Sequence, residues 1–390
     1  MMSRIIRITY LFLCIALMLP AVSVWAQEND HYYPPKHNWE KKTPEELGLD
    51  GHQIEQAVQF AIDNETSDPR DLELHLNSRT NEPYNELIGP VKSRGPTTGL
   101  IIKDGYLVAE WGDPDQVDMT FSVTKSFLSV TAGLAWDQGL IESVNDTVRR
   151  YLPTNHFDSE HNSKITWDHL FRQTSDWEGT LWGKPDWADR PTEEITEEVV
   201  NRERHEPGSE WKYNDVRVNV LALALLHVWR EPLPRVLKEH IMDPIGASNT
   251  WRWHGYENSW VEIDGLKMQS VSGGGHWGGG MFITARDQAR FGYLTLRNGQ
   301  WDGEQLISEE WLEKALTPTE ANPEYGYMNF FLNTNREPLP SAPESAFYHL
   351  GAGVNMVYVD RENDLVIVAR WISDYEAMNG LVKRVLEAVS

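Results

Sequence analysis

The chain has 390 residues, 40% of them apolar, with 59 acidic side chains against 35 basic ones and a formal charge of −24. That apolar content excludes global disorder, and the acidity makes nucleic acid and anionic membrane surfaces poor partners. The single cysteine, Cys14, lies in the first 26 residues, which leaves the rest of the chain without a disulfide or a thiolate metal site.

Residues 1–26 read as an export signal: Arg4 and Arg7, an apolar run from Ile8 to Leu19, a break at Pro20, and Val24-Trp25-Ala26 as a small-residue cleavage site. The run is short for a membrane span and no later stretch qualifies. The expectation is therefore cleavage near Gln27, release to the periplasm or the medium, and no stable membrane insertion afterwards. A lipid anchor on Cys14 would want a small residue before it, and Leu13 stands there instead. Without Arg4 and Arg7 the 59 acidic residues face 33 basic ones, a formal charge of −26. The acidity is spread along the chain and reads as solubility. About 364 mature residues permit one elaborate catalytic unit or two domains.

Residues 27–50, with Pro34, Pro35 and Pro44, read as an extended lead-in. A helix is expected from His52 to Asn64, and 65–96 read as irregular surface structure. From Thr97 the pattern turns to β, as TTGLIIK and YLVAEWG flank Asp104-Gly105, the chemistry of a hairpin turn. Phe121 to Gly139 then carries apolar residues at spacings of three and four, with Gly139 as the stop. At its start stand Ser122 and Lys125, which share a helix face. Unpaired N–H groups in a first turn favour a developing oxyanion, and a shielded lysine there can be depressed enough to take a proton from a serine hydroxyl. This S-x-x-K pattern occurs by chance about once in a chain of this size, so it needs partners elsewhere.

Helical patterns dominate from 140 to 270, including Thr166 to Arg172, Thr192 to Arg204 and Val216 to Trp229. Gly273 to Gly275 and Gly278 to Gly280 flank His276-Trp277. Lacking G-K-[ST], they read as a close-packed loop rather than a phosphate cradle. A helix capped near Thr284, strands at Val354 to Val359 and Leu365 to Trp371, and a helix from Tyr375 to Val389 close the chain. Strands at both ends with helices between imply an α+β fold: an antiparallel sheet domain from 27–120 and 275–390, and an inserted all-helical domain at 121–274. No histidine cluster or carboxylate run with metal-ligand spacing appears, so neither metal nor cofactor is expected.

Three further features follow the serine. They are Thr174-Ser175-Asp176, the run Glu206-Pro207-Gly208 with Trp211-Lys212-Tyr213-Asn214-Asp215, and His349-Leu350-Gly351-Ala352-Gly353. With DTVRRYLP, ITWDHLFRQTSD and GGGMFITARDQARFG they make residues 95–390 resemble the serine β-lactamase and penicillin-recognising superfamily, nearest its class C-like esterases and 6-aminohexanoate-dimer hydrolases. The resemblance implies a β-lactamase-like fold and an acyl-enzyme. In it Ser122 is the nucleophile, Lys125 its activator and Tyr213 the phenol that relays or accepts the proton. The N–H groups of Ser122 and Ala352, beside Gly351, would form the oxyanion hole.

Two departures bear on mechanism. Asp215 stands where that superfamily often has asparagine. A carboxylate beside Lys125 would oppose its use as a free base and shift proton acceptance to Tyr213; alternatively Asp215 caps the following helix. His349 stands where lactam-processing members carry the lysine of K-T-G, and a mostly neutral imidazole weakens recognition of a substrate carboxylate; alternatively it fills a core position. Ten of the 17 tryptophans lie between Trp167 and Trp277. Most are packing, but Trp177, Trp182 or Trp277 would suit a cleft for a hydrophobic, aromatic or sugar-bearing acyl group. The expected function is hydrolysis of a small-molecule ester or amide. A β-lactamase or D-amino-acid peptidase is the rival enzyme, and a non-catalytic binder of cell-wall or polysaccharide fragments the rival outside catalysis.

Overall fold

Asp104 and Gly105 both have positive φ, 53° and 85°, the geometry of a two-residue turn whose twist matches the strands it joins. They connect Thr98–Lys103 to Tyr106–Trp111. This computed structural model describes residues 31–78, 82–191 and 194–389; the expected leader of residues 1–26 lies outside them. The hairpin forms one side of a six-stranded antiparallel sheet completed from the far end of the chain. Its order is Phe331–Leu332, Phe347–Gly351, Asn355–Asp360, Leu365–Arg370, Thr98–Lys103, Tyr106–Trp111, with Thr98 opposite Arg370 and Lys103 opposite Leu365.

Both faces of this sheet are covered, which is why its central strands read as unbroken apolar runs. Leu100, Ile102, Val357, Val359, Val366 and Val368 point into the main core. Ile101, Met356, Tyr358, Leu365 and Ile367 point the other way, against Ile54, Ala57, Leu381 and Val385 of the helices Gly51–Asp63 and Tyr375–Val389. On the core side the helix Ala285–Leu296, capped by Thr284 Oγ1 accepting from the Asp287 N–H at 3.0 Å, sits close because Gly292 leaves room. A Cβ there would meet Val357 at 2.7 Å.

Three expectations are corrected. The segment 121–274 is not all-helical: Arg252–Ile263 and Leu266–Val271 form a hairpin in a second sheet with Gly280–Ile283 and Asp118–Met119. Its turn, Asp264-Gly265, repeats the positive φ angles of Asp104-Gly105 (55° and 78°), a signal masked by the tryptophans and glycines around it. Within 65–96 a short helix forms at Leu72–Ser78 because Leu72, His75 and Leu76 share a buried face. Of the helix expected over Thr192 to Arg204, the described part is one turn, Glu197–Val200, with no buried residue to hold a longer one.

The helix Thr124–Asp137 is buried from Thr124 to Ala135, and the helix Asp215–Trp229 from Asp215 to Leu226. They pack on each other, so their N-terminal ends bring residues about ninety positions apart together.

Candidate active site

Ser122 precedes the helix rather than lying in its first turn. It is the middle residue of a 3₁₀ turn, Phe121–Val123, that runs into Thr124–Asp137. Phe121 enters that turn with φ of 48°, an uncommon conformation for a bulky residue, held by its buried ring edge-on to Trp371. The kink leaves Ser122 partly exposed while Phe121 and Val123 are buried.

Lys125 is fully buried. Its Nζ donates to Ser122 Oγ at 2.8 Å and to the Gly273 carbonyl at 3.1 Å, and pairs with Asp215 Oδ1 at 2.8 Å. Two hydrogen-bond acceptors and a carboxylate at ion-pair distance are the environment of an ammonium. Burial pulls the Lys125 pKa below the usual lysine value, and Asp215 pulls it back. Burial alone would raise Asp215, but Arg190, then Lys125 and His276, hold it well below the carboxylate range. The helix cap next to it is Asn214, whose side chain accepts from the Arg217 N–H at 3.1 Å; Asp215 is free to serve as counter-ion.

The Ser122 and Asn329 side chains both act on the Tyr213 phenol and draw its pKa down. Burial, then Asp215, pushes this phenol well above the usual tyrosine range, against the opposing pull of Arg190 and of those two side chains. Two cations lie over its ring, Lys125 Nζ at 5.1 Å and the Arg190 guanidinium at 5.0 Å from the centroid.

The strand Phe347–Gly351 forms the opposite wall. A Cβ on Gly351 would stand 2.2 Å from the Thr120 carbonyl and 3.2 Å from the Ser122 nitrogen, so only glycine lets the strand come this near Ser122. Ala352 shares with Ser122 a cleft of about 230 Å³, lined also by Leu76, Phe121, Arg190 and His276. The Ala352 carbonyl is held by Asn355 Nδ2 at 2.6 Å, and Asn355 by the buried Arg370 at 2.9 Å. Asn329 grips the same strand, giving to the Leu350 carbonyl at 2.8 Å and accepting its N–H at 2.7 Å.

Ser122 and Ala352 line this cleft; Lys125 and Asp215 stand in line behind Ser122, the Tyr213 ring lies 5.1 Å from Lys125 Nζ, and Gly351 packs beside the Ser122 nitrogen. His349 and Trp177 do not line it. His349 is fully buried among Phe291, Phe330 and Phe347, its Nδ1 3.2 Å from the Asn329 carbonyl. Burial drops its pKa to about 4. Trp177 is buried in the helical core and donates to the His156 carbonyl at 2.8 Å, and neither Trp182 nor Trp277 lines the cleft. Asp176 of Thr174-Ser175-Asp176 binds Arg217 at 2.6 Å, anchoring the first turn of Asp215–Trp229. Gly273 to Gly280 form the close-packed loop expected: a Cβ on Gly275 would strike the Asp215 carboxylate at 2.4 Å.

Sequence reasoning missed Arg190 and Asn329, which lie in aperiodic loops. It also missed Glu82, Asp189 and His276, whose ligand-type atoms lie within 4.8 Å of one another and which, among the described residues, form the group able to hold a metal ion. Here they are engaged with each other and with Arg190: His276 Nε2 is 2.7 Å from Glu82, and Arg190 Nη1 lies 3.0 Å from Asp189.

Residues 100–388 match the family model described as Beta-lactamase. The chain belongs to the β-lactamase family. Within reach of this family assignment is the Bacillus subtilis (strain 168) protein named "Putative penicillin-binding protein PbpX", 27% identical over 256 residues. That match covers 60% of this chain and about three fifths, 61%, of the relative. Two solved structures share the β-lactamase-like fold. EstCE1, described as a hydrolase with promiscuous acyltransferase activity, superposes with a TM-score of 0.58 at 17% identity, over 89% of this chain and 99% of its own. A family VIII carboxylesterase gives 0.55 at 14% identity, over 85% and 97%.

Proposed function

We propose that the protein is an exported serine hydrolase that cleaves an ester or amide bond of a small molecule through an acyl-enzyme. The observation that carries this reading is the buried Lys125 ammonium on the Ser122 hydroxyl at 2.8 Å, with the Tyr213 ring centroid 5.1 Å from the same nitrogen. A binding protein has no use for a buried ammonium held 2.8 Å from a cleft serine.

Because Lys125 is paired with Asp215, it serves as a fixed positive charge rather than a free base. In one concerted relay Tyr213 gives its hydroxyl proton to the departing oxygen or nitrogen while it takes the proton of Ser122 Oγ, which attacks the carbonyl carbon, so the phenol begins and ends neutral. Lys125 stabilises the charge that develops on both oxygens, and the N–H groups of Ser122 and Ala352 receive the carbonyl oxygen. Water then attacks the acyl-enzyme through the same relay and releases the acid. The leader-like residues 1–26 support export. The buried His349 supplies no permanent positive charge to a lactam carboxylate, which supports an esterase or amidase over a β-lactamase or D-amino-acid peptidase.

The test is turnover of p-nitrophenyl butyrate, a p-nitroanilide and nitrocefin by the mature chain at equal concentration. Ester or amide turnover above that of nitrocefin is expected; the reverse order would assign the chain to lactam hydrolysis.

A further inference from the structure

We propose that Arg190 is a positioning residue of the reaction, the second fixed cation of the site, which divides Asp215 with Lys125 and braces the ring of Tyr213. The inference rests on the serine-hydrolase reading of Ser122, Lys125 and Tyr213.

Asp215 gives one carboxylate oxygen to each cation: Oδ1 lies 2.8 Å from Lys125 Nζ, and Oδ2 2.8 Å from Arg190 Nη1. The same Nη1 reaches both oxygens of Asp189, at 3.0 and 3.1 Å, while the guanidinium carbon lies 5.0 Å over the Tyr213 ring. The backbone is committed to this placement. Arg190 has φ of 48°, and its N–H is held by Glu82 Oε1 at 3.1 Å. One nitrogen meets both carboxylates while the flat guanidinium lies over an aromatic ring, and that flat face is what a lysine lacks.

The charges that face Lys125 and Tyr213 come from four places. The arginine loop gives Arg190 and Asp189, the start of the Asp215–Trp229 helix gives Asp215, the glycine loop gives His276, and the segment after Leu72–Ser78 gives Glu82. Without Arg190, Lys125 would be the only fixed cation among these groups, opposite Asp189, Asp215 and Glu82. That field raises the proton affinity of both Lys125 and Tyr213. Arg190 also lowers the energy of negative charge arriving on the Tyr213 oxygen during transfer, which the neutral, buried His349 does not.

The experiment is the rate of fluorophosphonate labelling of Ser122 as a function of pH in the wild type, Arg190→Gln and Arg190→Lys. This readout needs no knowledge of the natural substrate. Arg190→Gln is expected to slow labelling about tenfold and to move the pH limb that belongs to the Lys125–Tyr213 pair upward by roughly one unit. Arg190→Lys keeps the charge and holds the limb near its wild-type position while losing part of the rate. A labelled Arg190→Gln with an unmoved limb overturns the proposal and leaves the hydrolase reading intact, as does a change confined to KM for an ester. A wild type that cannot be labelled removes the hydrolase reading itself. Should Arg190→Gln not fold, Arg190→His, neutral above its own pKa, is judged by the same limb.

Discussion

Lys125 and His349 are buried to the same degree and meet opposite fates. Lys125 ends among two hydrogen-bond acceptors and a carboxylate counter-ion, so burial leaves it an ammonium aimed at Ser122. His349 ends among three phenylalanine rings with one carbonyl, so burial leaves it a neutral spacer with a pKa of about 4. What separates the two regions is the supply of partners, and partners come from distant parts of the chain. A motif position alone does not decide whether a titratable residue is machinery or packing.

The comparison is broken most sharply at the charged end. Ser122→Ala should cut ester turnover on the order of a thousandfold or more without change in the circular dichroism spectrum; retained turnover would place the nucleophile elsewhere. Tyr213→Phe keeps the ring and loses the relay, and kcat should fall by roughly 10²–10⁴-fold with little change in KM. Asp215→Asn leaves Lys125 and Arg190 facing each other without their shared counter-ion, and urea unfolding should show a loss of about 3 kcal/mol.

The smallest activity effect is expected at the apolar end. His349→Leu should alter ester turnover by less than about threefold, since a neutral spacer is replaced by another of similar volume. Its signature is in stability against pH. The unfolded chain protonates His349 near 6.5 and the folded chain only near 4. Wild-type stability therefore falls as pH drops through that window, by about 3 kcal/mol from this residue when fully developed, and is unaffected by it above the window. In His349→Leu this part of the acid slope should vanish in urea titrations between pH 4 and 7; an unchanged slope would show that His349 is protonated in the fold.

The sheet and its hairpin were legible because Asp104-Gly105 and the strand runs are local signals. The same dipeptide type at Asp264-Gly265 was legible in principle and was hidden by the tryptophans and glycines around it. Ser122, Lys125 and Tyr213 were legible because helix spacing and an ordered set of short motifs point to them, and Asp215 because its charge conflicts with the lysine's task. Arg190 and Asn329 were not. Each acts from an aperiodic loop through a partner about 20 or more residues away along the chain, Asp215 for Arg190 and Leu350 for Asn329, and nothing nearby in sequence records them. The tryptophans misled for a related reason: their number speaks of apolar area, while the cleft wall is set by which of them the core takes, and it takes Trp177 and Trp277.

The central claim is that Ser122 is an activated nucleophile. Its most direct measurement is the intact mass of the mature protein after exposure to a fluorophosphonate, with peptide mapping of the product, in wild type and Lys125→Ala. The account predicts one adduct, on Ser122, lost in Lys125→Ala. No adduct under conditions that label a control hydrolase, or an adduct on another residue, would contradict it.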